Sequence, residues 1–398
     1  DWSQAGGLAL WRQCTDIRFN RLVVAGARFE RRGVMLCPSA NGAIVRNDHR
    51  GLQIAGGTSQ LDLAGFLGES PVRIRSGAVG FAVPGTLAAR DLDVRLGPVA
   101  NESRFTLKRL EARIGKDVAG HFAQADVGLA AVPLDIRDAA GDWRYEGGRL
   151  LLSHAQLQVE DRTKPGRFEP LIARDADLSL VNNVINANAL LRHPKTDREV
   201  ARVAIVHNLG TASGNADLVV DHLAFDDTLQ PDMLTGLALG VVANTRGAVT
   251  GTGRIDWDES GVTSSGRFAS SSLDFAAAFG PVQGASGTVV FTDLLGLVTA
   301  PNQQIRLASI NPGIEVRDGL LSFDMKPGHV LDINGAKWPF MDGTLTLEPS
   351  RMRLGEAEAG CGRGHDEVAA HGNLATRSDH RPLHQGHHGP AAAHDRGV

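Results

Sequence analysis

The chain has 398 residues, 42% of them hydrophobic and 5% aromatic, with a net charge of −4. That length suits about two or three compact domains, or one extended repetitive one. The charge balance excludes the broad basic field that nucleic acid recruits, and no run reaches the roughly 18–20 apolar residues of a membrane span.

Period-two alternation, the mark of half-buried strands, recurs from end to end. The run 62–67 offers a weak helical spacing ahead of the first clear strand, 91–96. In that strand Leu92, Val94 and Leu96 share one face and Asp91, Asp93 and Arg95 the other. Over 151–160 the apolar face is predicted to carry Leu151, Ser153, Ala155, Leu157 and Val159. Leu152, His154, Gln156, Gln158 and Glu160 fall opposite. Gln230-Pro231-Asp232-Met233-Leu234 opens a turn of helix, over about 230–236, with Pro near its start. Ile255 and Trp257 then alternate with Arg254, Asp256 and Asp258. The run 273–279, closed by Gly280-Pro281, predicts two more helical turns. Leu345 and Leu347 alternate with Thr344, Thr346 and Glu348. Strand starts recur after Gly, as at Gly147-Gly148, Gly251-Thr252-Gly253 and Asp342-Gly343, where tight turns need positive φ.

Residues 1–130 read as an N-terminal β region and 131–356 as a repetitive β-sheet region. The text then changes. Residues 357–398 read as a disordered His/Arg/Gly-rich tail, the kind of text a reading-frame error in a GC-rich gene produces. Its His residues lack the spacing of a defined metal site. The chain opens on Asp1 with no basic-then-apolar leader and reads as a fragment. Cys14 and Cys37 stand near the start and Cys361 is alone. An oxidising compartment would join the first two and a cytosolic one would leave two buried thiols; spacing leaves both open.

Catalytic signatures are missing: no Gly-x-Ser-x-Gly elbow, no P-loop lysine, no Gly-x-Gly-x-x-Gly and no His-Glu-x-x-His. The carboxylates Asp226, Asp227 and Asp232, and Asp256, Asp258 and Glu259, read as turn and sheet-edge residues rather than a glycosidase pair. The five Trp are scattered, which argues against a sugar platform. An antiparallel sheet with few helices must cover its apolar face by curling on itself or with an apolar ligand. A groove for acyl chains and a sealed β-sandwich both fit that pattern.

The stretch from about 234 to 349 resembles the YdbH family, relatives of the AsmA-like and TamB envelope proteins. The resemblance is carried by Gly251-Thr252-Gly253-Arg254-Ile255-Asp256-Trp257, Phe279-Gly280-Pro281-Val282-Gln283-Gly284 and Phe291-Thr292-Asp293-Leu294-Leu295-Gly296-Leu297. Asn311-Pro312-Gly313-Ile314 and Gly335-Ala336-Lys337-Trp338-Pro339-Phe340 continue it. Cys14 and Leu36-Cys37-Pro38 look like the family's early cysteine pair. In all it spans about residues 10–355 and breaks off after Leu354-Gly355-Glu356.

The resemblance implies a non-enzymatic bridge that moves phospholipid between inner and outer membranes across the periplasm. It implies an inner-membrane anchor through a missing N-terminal segment, an outer-membrane lipoprotein as a candidate partner, no nucleic acid, no metal and no cofactor. Periplasmic placement implies a Cys14–Cys37 disulfide. The family has also carried a dicarboxylate-transport label, and a β-sandwich binding module is the other alternative. The expected fold is all-β, an elongated antiparallel twisted sheet curved into an open hydrophobic groove. Its expected lining is Leu151, Leu157, Val159, Ile185, Ile255, Trp257, Phe323, Leu345 and Leu347.

Overall fold

The computed structural model describes residues 2–3, 7–24, 26–40, 42–49, 51–99, 102–128, 130, 133–164, 166–277, 280–311, 313–354 and 374–377. Near the N-terminus lie β1 (Trp2–Ser3), β2 (Gly7–Leu10), β3 (Thr15–Val24), β4 (Ala27–Leu36), β5 (Val45–Asp48), β6 (Gly51–Thr58), β7 (Leu61–Leu67), β8 (Ser70–Ser76) and β9 (Val79–Val83). Longer strands follow: β10 (Gly85–Leu96), β11 (Ser103–Ile114), β12 (Val118–Gly128), β13 (Leu134–Glu146), β14 (Arg149–Asp161), β15 (Leu171–Val181), β16 (Val184–Arg192), β17 (Glu199–Asn208) and β18 (Ser213–Phe225). The last third holds β19 (Ala243–Asp258), β20 (Gly261–Ala277), β21 (Gly280–Asp293), β22 (Val298–Thr299), β23 (Gln303–Ile310), β24 (Val316–Lys326), β25 (Val330–Phe340), β26 (Gly343–Leu347), β27 (Ser350–Arg353) and β28 (Leu374–Arg377).

All of them join one antiparallel sheet, as the alternation foretold. From β10 to β21 each strand pairs with the next, so the sheet grows as a meander and does not close into a barrel. Elsewhere one long strand faces two short ones laid end to end. β10 pairs with β8 and β9, and β25 with β26 and β27. β4 does the same, meeting β7 at Phe29↔Gly65 and β6 through the bridge Cys37↔Gly57.

A row of β-bulges crosses this meander. Asp91, Gln124, Asp138 and His154, in β10, β12, β13 and β14, each adopt positive φ in mid-strand. The pairing register shifts beside the last three, and again in β15 between Ala173 and Ala176. A bulge adds one residue to one strand, so the strand bends and its side-chain alternation changes phase. Bulges in neighbouring strands therefore make a crease across the sheet. Small side chains sit there: Ala89, Ala125, Ala139, Ala155 and Ala176 are all buried, with Ala125 opposite Ala139 and Ala155 opposite Ala176.

Two expected helices are strands instead. Residues 62–67 belong to β7, and 273–277 to β20; residues 278–279 lie outside those described. In both, apolar side chains alternate with Asp (Leu61 and Leu63 about Asp62, Leu273 and Phe275 about Asp274). Cross-strand pairing on that period outweighs the helix propensity of a short Ala run. The turn expected near 230–236 does form, as 3₁₀ turns at Pro231–Met233 and Gly236–Ala238. In the tail, Leu374–Arg377 pairs with β26, a regular element where none was expected. The rest of the tail, Cys361 included, lies outside the described residues.

The core is drawn out along the sheet as four separate clusters, centred on β3–β8, β11–β18, β17–β19 and β20–β26. The accessible surface is 25210 Å², against about 15,000 Å² for a compact monomer of this mass. Granting every undescribed residue full solvation removes roughly 8,500 Å², and the remainder still exceeds a compact body by roughly a quarter. That excess fits a core drawn out along the sheet rather than gathered in one body.

At the N-terminal end a disulfide joins Cys14 to Cys37, just where β4 hands over to β6. Replacing both cysteines with Ser should cost about 3 kcal/mol in the chain-entropy view. Calorimetry of oxidised and doubly substituted protein checks this; equal melting curves would refute it.

Candidate functional site

Register fixes which side chains share the apolar face. Leu150 and Leu152 stand opposite Tyr145 and Trp143 on β13, and opposite Leu180 and Leu178 on β15. Beyond the crease the same face continues as Ala155, Leu157 and Val159. The crease alanines form a buried floor, while the flanking Leu107, Ile136, Trp143, Leu152, Leu157 and Val159 are only half-buried.

Eight of the nine predicted lining residues lie on this face, and one does not. Leu157 and Val159 pack in the central cluster. Ile185 is half-buried, between Leu180 and His207. Ile255 and Trp257 are buried with Ala216. Phe323 is buried opposite Ile333, and Leu345 and Leu347 are buried against Trp338 and Ala336. Leu151 is the exception: it stands between Arg144 and Ser179 on the polar face and is 37% exposed. The bulge at His154 puts Leu151 out of phase with Leu157. Plain alternation carried the count straight through it.

Polar groups on the apolar face are only partly satisfied: Trp143 Nε1 and Trp338 Nε1 are buried without a hydrogen-bond partner, whereas Trp257 has one. Trp257 Nε1 donates to His207 Nδ1 at 3.1 Å, and burial pushes the His207 imidazole below its usual pKa, which keeps it neutral. The polar face is laced with ion pairs such as Arg254–Asp217, Arg104–Asp93 and Arg351–Asp332, exposed and each worth little. Four of the six carboxylates weighed as catalytic are tied up: Asp226 to Arg198, Asp227 to Arg246, Asp256 to Arg254, and Asp258 in a turn with Ser260. Among the described residues no His, Cys, Asp and Glu side chains gather as a metal set, and no helix is long and apolar enough to cross a membrane.

The sheet's two margins come together. Turns that follow β10, β12 and β14 lie along one margin, and those that follow β15, β17 and β21 along the other. Arg167, in the turn after β14, donates to Leu295 O after β21 at 3.3 Å. Ser70, beside the Leu96 end of β10, donates to Leu209 O after β17 at 3.1 Å. Leu295 also packs with Leu134 and Ala216. Two hydrogen bonds thus join turns from opposite margins of the sheet.

The first of these clasps rests on Asp161 and Arg167, whose side chains are only 1% and 9% exposed. Burial raises the Asp161 pKa. Two guanidinium donors, the Thr163 hydroxyl and two backbone N–H groups outweigh it and hold the carboxyl well below its usual 3.8. A depressed pKa gives stability that is present above pH 3.8 and lost as pH falls below it. The clasp should therefore hold unchanged between pH 7 and 5. Asp161→Asn leaves a buried guanidinium unpaired and should cost about 3–5 kcal/mol, read as a fall in urea midpoint.

Sequence reasoning missed the side chains that cover the central floor. Leu229, Met233 and Leu234, from 226–242 between β18 and β19, join the floor cluster, as does Phe168 from the turn after β14. Their only signal is a run of Leu and Met with no period between two clear strands.

Beside the N-terminal cluster part of the face is open. Leu52, Ile54, Val83, Phe81 and Leu87 share it by register. Leu52 is 57% exposed and Val83 39%.

A search of curated proteins finds no match, and neither does one of solved structures. A family model described as YdbH-like, intermembrane phospholipid transport protein YdbH, matches residues 2–360, nearly all of the strand-forming chain. A creased, one-sided apolar sheet and this match point to lipid transport in the cell envelope: the chain belongs to the YdbH-like family.

Proposed function

We propose that the apolar face is a groove for phospholipid acyl chains, and that the chain acts as a non-enzymatic part of a bridge between inner and outer membranes. The observation that carries this is the contrast between a buried alanine floor and half-buried aliphatic walls. Each methylene moved from water to such a wall gains about 0.8 kcal/mol, so a continuous apolar lane lowers the barrier to crossing an aqueous gap. Headgroups stay at the wet margins. The Cys14–Cys37 disulfide suits the oxidising periplasm. An inner-membrane anchor preceding Asp1 and an outer-membrane lipoprotein beyond the far end complete the reading.

Two adjacent residues test it. Leu150 is half-buried on the apolar face and Leu151 is exposed on the polar one. A diazirine side chain at Leu150 should crosslink to phospholipid in cells, and one at Leu151 should not. Equal labelling at both positions, or none at Leu150, would overturn the groove.

A further inference from the structure

Segment 226–242 packs where the lane should be open. Leu229 is 0% exposed and Leu234 9%. Both sit in one cluster with the crease residues Ala125, Ala139, Ala155 and Ala176. Two leucines therefore fill the place an acyl chain would take, over a floor whose small side chains leave the room. The segment is not woven into the sheet. Between Phe225 and Ala243 its strand pairing is the single bridge Asp226↔Leu229.

Besides the packing of its leucines, it is held by polar bonds in its first half and middle. Arg198 donates to Asp226 at 2.7 Å and to Thr228 Oγ1 at 3.1 Å. The Gln230 amide binds Thr245 through both its nitrogen and its oxygen. In the middle, Glu169 N donates to Leu234 O at 2.7 Å, which ties the segment to the turn bearing Arg167. Gly240 has positive φ and open space where a Cβ would stand, so the chain bends there on its way to β19.

We infer that segment 226–242 is a plug that closes the lane at rest and gives way to a phospholipid acyl chain. An acyl chain would compete with the segment's leucines for the same floor, and the polar latches add to what it must displace. This inference rests on the groove reading above.

The test uses the full chain with Cys361→Ser. Glu169→Cys and Gly236→Cys are joined by a short bis-maleimide; as a Cβ on Gly236 would lie 3.8 Å from the Glu169 carboxylate, the linker spans them. Each single-cysteine variant serves as control. A diazirine side chain at Leu157, beneath the plug, and another at Leu150 report lipid from phosphatidylethanolamine–phosphatidylglycerol vesicles. The lock should reduce labelling at Leu157 severalfold and leave Leu150 unchanged, while Leu229→Ser with Leu234→Ser should raise it severalfold. Hydrogen exchange on the unmodified chain gives a second reading, in which vesicles should speed exchange of the Met233, Leu234 and Thr235 amides. Labelling at Leu157 that ignores the lock, with exchange unmoved by vesicles, overturns the plug and leaves the groove standing. No labelling at Leu150 removes the groove and the plug together.

Discussion

Ile255→Asp is expected to unfold the middle of the sheet. Ile255 is buried between Ala216 and Ser264, beside Trp257, in an apolar cluster. A carboxylate there is an unpaired buried charge, which typically costs about 3–5 kcal/mol, or is protonated at a comparable cost. Urea denaturation should show a large loss of stability at pH 7 that shrinks as the pH approaches the carboxyl's raised pKa. An unchanged midpoint would mean that this part of the face is wet.

Leu52→Asp should do the opposite. Leu52 lies on the same face but is 57% exposed, so the charge keeps its water and stability should change by no more than about 0.5 kcal/mol. An acyl chain passing Leu52 would have to strip that carboxylate of water, which costs far more than desolvating a neutral polar group. Lipid transfer should therefore fall by an order of magnitude or more with the melting temperature intact. Normal transfer would place the path of lipid elsewhere.

The strand content was legible because alternation is local: Ile255 with Trp257 and Leu345 with Leu347 fall on the face their spacing assigns. The crease was not legible. Its positive-φ residues are Asp91, Gln124, Asp138 and His154, polar side chains of a kind that recurs throughout these strands and so marks no position. A one-residue bulge is invisible until a partner strand defines the register, and Leu151 was misplaced for that reason. The plug was hidden for a related reason. Leu229 and Leu234 are buried by strands up to about a hundred positions upstream, and nothing within 226–242 encodes that meeting. The family resemblance rested on glycine and aromatic spacing that survives such gaps, and the family model covers the same stretch.

The bulge row has a consequence for reach. Adjacent strands lie about 4.8 Å apart, so each hairpin of the meander lengthens the sheet by about 9.6 Å. From β12 to β15 every hairpin carries its own bulges. A hairpin gained or lost in the gene would therefore leave the crease aligned and change only the span. On the bridging reading proposed above, the width of the gap spanned would be set by strand number rather than by any single residue.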